Sequence, residues 1–203
     1  TQYNKTHGTN YGVQIISAGT VDTVTLGSSD FGTWKTSYNN AITTLNTKAQ
    51  QYLNTTYASS ARCVGSNPSN PSSESGYFKG TYDYLGKYGW NGVFKDTDTN
   101  YETDYNQMKT LNINKTSQPS PFGSFYWLAS RYVDSYSGGT DLSMRKVNTS
   151  GGLSYLGAQG ALRFTGSANS YDSSYGLRPV FTLKSTIKIT GGDGVNTPYT
   201  LAP

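Results

Sequence analysis

The sequence predicts an α+β fold: a twisted antiparallel sheet with one main amphipathic helix and long loops. Three observations carry this. One stretch, 33–57, repeats its apolar residues at helical spacing, and several short β-branched or aromatic runs are separated by Gly, Pro, Asn and Ser. The 203 residues include 23 Gly and 18 Tyr yet are only 34% hydrophobic, so aromatic side chains must supply much of the core. Disordered chains are poor in aromatics, so the chain is expected to fold, and its length suits a single domain over 1–203.

Taken in order, 1–10 is polar, and Tyr11–Ala18 and Val21–Leu26 are strand candidates; in the second, Asp22, Val24 and Leu26 alternate with Val21, Thr23 and Thr25. Asp30 can cap the helix that follows. Trp34, Tyr38, Ala41, Ile42, Leu45, Ala49, Tyr52 and Leu53 form its apolar stripe, and Thr, Asn, Gln and Lys its solvated face. Pro68 and Pro71 hold 65–76 in a loop. The aromatics Tyr77, Phe78, Tyr82, Tyr84, Tyr88, Trp90 and Phe94 suit core and loop packing better than a sugar-stacking platform.

Asp96, Asp98, Asn100, Glu102 and Asp104 place oxygen ligands at alternate positions, as a calcium loop does. Tyr101 stands where such a loop needs Gly, and Gln107 where it ends in Glu. A solvated acidic turn is the better reading, with calcium on Asp96, Asp98, Asn100 and Glu102 the alternative; no other cofactor is expected.

From 125 to 183 two apolar brackets, Phe125–Arg131 and Tyr175–Phe181, enclose short strands and runs of Ser, Gly, Tyr, Asp and Asn. Leu142 and Met144 alternate with Ser143 and Arg145. Leu153–Leu156 can return beside them after the turn 148–152, and Leu162 and Phe164 flank Arg163 in a further strand. Leu177–Leu183 is the last strong strand, and Pro179 suggests an edge or a bulge. Gly191-Gly192-Asp193-Gly194 joins Ile187–Ile189 to Tyr199–Leu201 in a hairpin, the tail 184–203.

Sixteen basic residues against twelve acidic give a net charge of +4 without clustering, which argues against nucleic-acid binding. One cysteine, Cys63, permits no internal disulfide, and a buried small residue is the expected role because the single histidine, His7, lies far off in sequence. The same scarcity opposes a Cys-His or Ser-His-Asp centre and a zinc site, so no enzyme is expected. No apolar run approaches the ~20 residues that span a bilayer, so membrane anchoring would need a segment absent from this sequence.

Tyr126-Trp127-Leu128-Ala129-Ser130 followed by Gly176-Leu177-Arg178-Pro179-Val180-Phe181 resembles the C-type-lectin-like fold, in its formylglycine-generating-enzyme-like branch. The tail, with Gly-Gly-Asp-Gly and Pro-Tyr-Thr-Leu, is similar to the endings of Gram-positive surface and pilin-like proteins. The resemblance spans about 124–201 and is specific for fold rather than activity. Oxidases of that branch use cysteines, whereas Cys63 lies outside the matching region. It implies a ligand-binding ectodomain, adhesin or receptor-binding, at a bacterial or phage surface or in the extracellular space, with a protein or glycan partner. The alternatives are a calcium-dependent sugar-binding lectin and a pilin-like filament subunit. The Glu/Gln-Pro-Asp/Asn triplet and Trp-Asn-Asp run of such lectins are missing.

Some proteins of this fold are variable products of diversity-generating retroelements, which alter adenines. Tyr132–Leu142 and Thr165–Tyr175 contain only residues such codons can reach, while Met144, Lys146 and Gln159 lie outside that set. The expected recognition region is therefore 124–183. Its candidate ligand-binding residues are Tyr132, Asp134, Ser135, Tyr136, Ser137, Thr140, Asp141, Ser143, Arg145, Tyr155, Leu156, Ala158, Gln159, Arg163, Tyr171, Asp172, Ser174 and Tyr175. If the strands alternate, Ser143, Arg145 and Arg163 lie on the face away from the core, joined by loops 132–141, 154–159 and 167–175. Tyr and Arg most often dominate binding energy. The competing reading is ordinary loops whose tyrosines cover the edge of the core. Arg131 and Arg178 invite a ligand role, but Arg178 is expected to pair internally, since its planar fork satisfies several acceptors.

Overall fold

The computed structural model describes residues 12–27, 34–67, 81–82, 90–91, 102, 104, 125–136, 139–147, 153–154, 173–193 and 197–203. Within them the fold is α+β, with one helix packed on antiparallel sheets. The predicted strands at 161–164 and the Asp30 cap lie outside the described residues.

The helix, α1, spans Trp34–Gln50. Tyr38, Ala41, Ile42, Leu45 and Ala49 recur three and four residues apart, and all are buried at 1% exposure or less. Each large apolar side chain hidden there contributes about 1.5–3 kcal/mol. Lys48 in the last turn suits the negative end of the helix dipole. Gln51, Tyr52 and Leu53 then donate to the carbonyls of Lys48, Ala49 and Gln50, three residues back, and this tightening ends the helix. The helix is thus shorter than its apolar stripe: Tyr52, expected on the buried face, is 39% exposed.

Two sheets receive it. The larger has the order β2 (Asp22–Leu26), β9 (Ser173–Leu177), β6 (Tyr126–Tyr136), β7 (Gly139–Val147), β8 (Leu153–Ser154). The smaller has β1 (Gln14–Ile16), β10 (Pro179–Leu183) and β3 (Ala58–Cys63). β4 (Thr81–Tyr82) and β5 (Trp90–Asn91) pair separately, as do β11 (Lys188–Gly191) and β12 (Thr200–Ala202), the expected terminal hairpin. The larger sheet is not wholly antiparallel, because β6 and β9 run parallel where Tyr126 faces Gly176. β3 had no legible signal: Ala-Ser-Ser-Ala-Arg-Cys neither alternates nor carries a large apolar residue.

The strand expected over Leu177–Leu183 is two strands. The chain leaves the larger sheet after Leu177 and enters the smaller one at Pro179. Pro179 does not mark an edge, for β10 is the central strand of its sheet; as first residue it costs the ladder no donor. The register does shift, but at the far end, between Thr182 and Leu183.

The turn after β3 joins the sheets. Val64 donates to the Arg178 carbonyl at 3.0 Å, and its own carbonyl accepts from the Ala129 amide at 2.8 Å. Gly65, at φ +89°, makes this approach feasible: a Cβ there would lie 3.0 Å from Leu128 Cβ. The core around the joint contains Trp127, Leu128, Val64 and Leu177, all fully buried.

Cys63 sits in this core, and burial pushes its thiol up to about 12, the neighbouring Arg62 charge offsetting only part of the effect. The native thiol should therefore resist thiol-labelling reagents at pH 8. Above its ordinary value of 9.0 the unfolded thiol releases its proton while the native one keeps it. Native protein then binds more protons, and this group's contribution to stability falls as pH rises from about 9 to about 12. Urea titrations of native protein and Cys63→Ala across that window should diverge, with the variant showing the shallower decline.

Candidate functional site

The region 124–183, expected from the sequence to carry recognition, contains the β6–β7 hairpin. Its strands pair from Tyr126 opposite Val147 to Tyr136 opposite Gly139, with an irregularity between Trp127 and Arg131. The segment 132–141 is therefore largely paired strand rather than loop, and Tyr132, Asp134, Ser135, Tyr136, Thr140, Asp141 and Ser143 occupy ladder positions. The ladder reaches about 15 Å past Arg131. Leu153 pairs with Val147 and Ser154 with Lys146, as the turn at 148–152 predicts.

The hairpin base is fixed by side chains that find partners inside the fold. Trp127 is fully buried; its indole N–H donates to the Val24 carbonyl at 2.8 Å and its ring meets Tyr175 edge-on at 4.6 Å. Arg131, also fully buried, lies over the Tyr38 ring and donates through Nε to the Tyr38 carbonyl at 3.2 Å and through Nη2 to that of Asn39. These two carbonyls tie α1 to β6. Arg178 donates to the carbonyls of Ser17 at 2.6 Å and Ala18 at 3.2 Å, over the Tyr126 ring. Burial holds its pKa below the usual guanidinium value. Its expected internal pairing is observed, and Arg131 is likewise structural.

Arg145 corrects the expected binding face. It is 5% exposed and donates to Ser130 Oγ at 3.0 Å and to the Arg131 carbonyl, so it does not belong to an open patch. Alternation assumed one wet face, but Met144, Arg145, Lys146 and Val147 are all buried, as in an interior strand covered on both sides.

Two candidates at the other end of the sheet have described side chains. Ser174 is exposed, its hydroxyl 2.6 Å from that of Thr25 on β2. Tyr175 is half-buried and packs between Trp127 and Phe125. Beside it stands Lys146, which the sequence marks only as a position outside the retroelement codon set, with no local signal for a ligand role. Its ammonium donates to the Tyr175 hydroxyl at 2.8 Å and lies 4.3 Å from the Tyr175 ring centre and 5.1 Å from that of Phe125. Ser137, Tyr155, Leu156, Ala158, Gln159, Arg163, Tyr171 and Asp172 lie outside the described residues.

Of the calcium candidates, Asp96, Asp98 and Asn100 also lie outside the described residues, and Glu102 is exposed. Asp104, the last carboxylate of that run, is committed to the fold. Its oxygens accept from Arg62 Nη1 at 2.5 Å and Nη2 at 2.8 Å, and from the Gly65 amide at 2.7 Å. Among the described residues no three His, Cys, Asp or Glu side chains gather as metal ligands, and no helix is long and apolar enough to cross a membrane.

Fold and site together define an α+β domain carrying a long β-hairpin whose base is locked by buried Trp and Arg side chains. No family model, curated protein or solved structure matches the chain.

Proposed function

We propose that the chain is a non-enzymatic ligand-binding domain of C-type-lectin-like fold. It is displayed at a bacterial or phage surface, and it recognises a protein or glycan through the β6–β7 hairpin and the segments that follow it. The observation that carries this reading is the contrast along the hairpin. Its base is anchored by Trp127, Arg131 and Arg145, each bonded within the protein, while its outer ladder reads Tyr-Val-Asp-Ser-Tyr and Gly-Thr-Asp-Leu-Ser. Tyr gives large contact area at low entropy cost, and Ser, Thr and Asp give adaptable hydrogen bonds, so such residues on a rigid support suit recognition. The Tyr- and Ser-rich outer positions are the ones a retroelement would diversify.

The test is a glycan array together with a panel of immobilised bacterial surface proteins, followed by Tyr132→Ala, Tyr136→Ala and Tyr171→Ala. Losses of about 1 kcal/mol or more for two of the three, at unchanged melting temperature, are expected. Equal affinity in all three variants would move the ligand to another face. A reverse-transcriptase gene beside a near-copy of the region coding 132–175, differing at adenines, is the genomic counterpart.

A further inference from the structure

The buried cations of this protein are not all satisfied in the same way. Arg62 has the Asp104 carboxylate, the Gln14 side-chain oxygen at 3.0 Å and the Ser66 carbonyl at 3.0 Å. Arg131 and Arg178 each hold two backbone carbonyls. Lys146 differs from these. It is 8% exposed, and among the described residues its ammonium makes one hydrogen bond, to the Tyr175 hydroxyl, and faces two aromatic rings. No carboxylate lies within ion-pair distance of it among the described residues.

An ammonium has three N–H donors and no acceptor. Aromatic faces attract the charge but use none of those donors in directed bonds to oxygen. A desolvated cation with one phenolic acceptor is an incomplete arrangement, and an anionic oxygen completes it best, since charge-assisted hydrogen bonds are the strongest available to it. The surroundings suit a visiting group. Phe125 is 38% exposed, and its ring is tilted 46° to that of Tyr175 at 5.7 Å, so a partly exposed aromatic side chain stands beside the ammonium. The net charge of +4 favours the approach of anions.

We propose that Lys146, Tyr175 and Phe125 form a subsite for a sugar that carries a carboxylate, of the uronic or sialic acid kind. The ammonium and the Tyr175 hydroxyl take the carboxylate, and the apolar C–H face of the sugar ring lies on Phe125. Glycan is favoured over an acidic peptide because the exposed partner of the cation is an aromatic ring, which pairs with the C–H face of a pyranose. The subsite rests on the reading of this chain as a recognition domain and names the ligand chemistry at its Tyr175 end.

Calorimetry and NMR titration with N-acetylneuraminate, D-galacturonate, neutral D-galactose and a glutamate-rich peptide test it. Native protein should bind at least one of the two acidic sugars in the millimolar range, with the Lys146 side-chain signals shifting, and should not respond to galactose. Lys146→Gln should weaken binding at least tenfold, and Tyr175→Phe, which keeps the ring and removes the hydroxyl, several-fold. If Lys146→Gln fails to fold, Phe125→Ala at an exposed position should still weaken binding several-fold at unchanged melting temperature. No response to either acidic sugar overturns the proposal, as does binding of the peptide alone or wild-type affinity in the folded variants. Loss of a partner's binding in Tyr132→Ala and Tyr136→Ala, with no response to acidic sugars, would sink this subsite while leaving the recognition reading intact.

Discussion

Asp104→Ala is expected to lower the unfolding free energy by about 3–5 kcal/mol, among the largest effects of any single change in this chain. The pair is almost out of water, with side-chain exposure of 4% for Arg62 and 11% for Asp104. Removing the carboxylate strands a buried guanidinium and leaves the Gly65 amide without its acceptor, at the turn that joins the sheets. The melting temperature should fall by roughly 6–20 °C in a chain of this size. Replacing both partners by apolar residues, Arg62→Met with Asp104→Leu, should recover much of the loss, because the cost of an isolated buried charge disappears. A loss below about 1 kcal/mol for Asp104→Ala would mean that the pair does not hold the turn.

Trp127→Ala should cost about 3–5 kcal/mol, measured by urea unfolding, because the indole is fully buried in the hydrophobic core. Trp127→Phe separates the two contributions: it retains most of the apolar volume but leaves the Val24 carbonyl without the indole donor. That variant should lose about 1–3 kcal/mol. The edge-on contact with Tyr175 makes Trp127 also a support of the proposed ligand end of the sheet, so near-ultraviolet circular dichroism should change in both variants. If Trp127→Ala lost less than about 2 kcal/mol, the core would be organised around another residue.

The sequence by itself determined the elements whose signals are local. The three-and-four spacing of Tyr38, Ala41, Ile42, Leu45 and Ala49 was enough for α1, because that face must be hidden wherever the helix docks. Trp127 and Leu128 in the aromatic bracket, with Leu177, were legible as core, and the Gly-rich turn before Tyr199 as a terminal hairpin. The internal use of Arg178 was legible too, since a guanidinium between buried apolar residues must find acceptors.

Only the tertiary structure decided the fate of the other charges. Arg145 read as solvent-facing because alternation reports a strand's period and not what covers its second face; β7 is an interior strand, and Arg145 and its neighbour Lys146 are both buried. Asp104 read as one more carboxylate in an acidic run, yet its partner Arg62 lies 42 residues away, on a strand with no legible pattern. Lys146 meets Tyr175 across 29 residues, and β1 meets β10 across most of the chain. Such pairings follow from which backbones pack together, a long-range outcome that local periodicity does not encode.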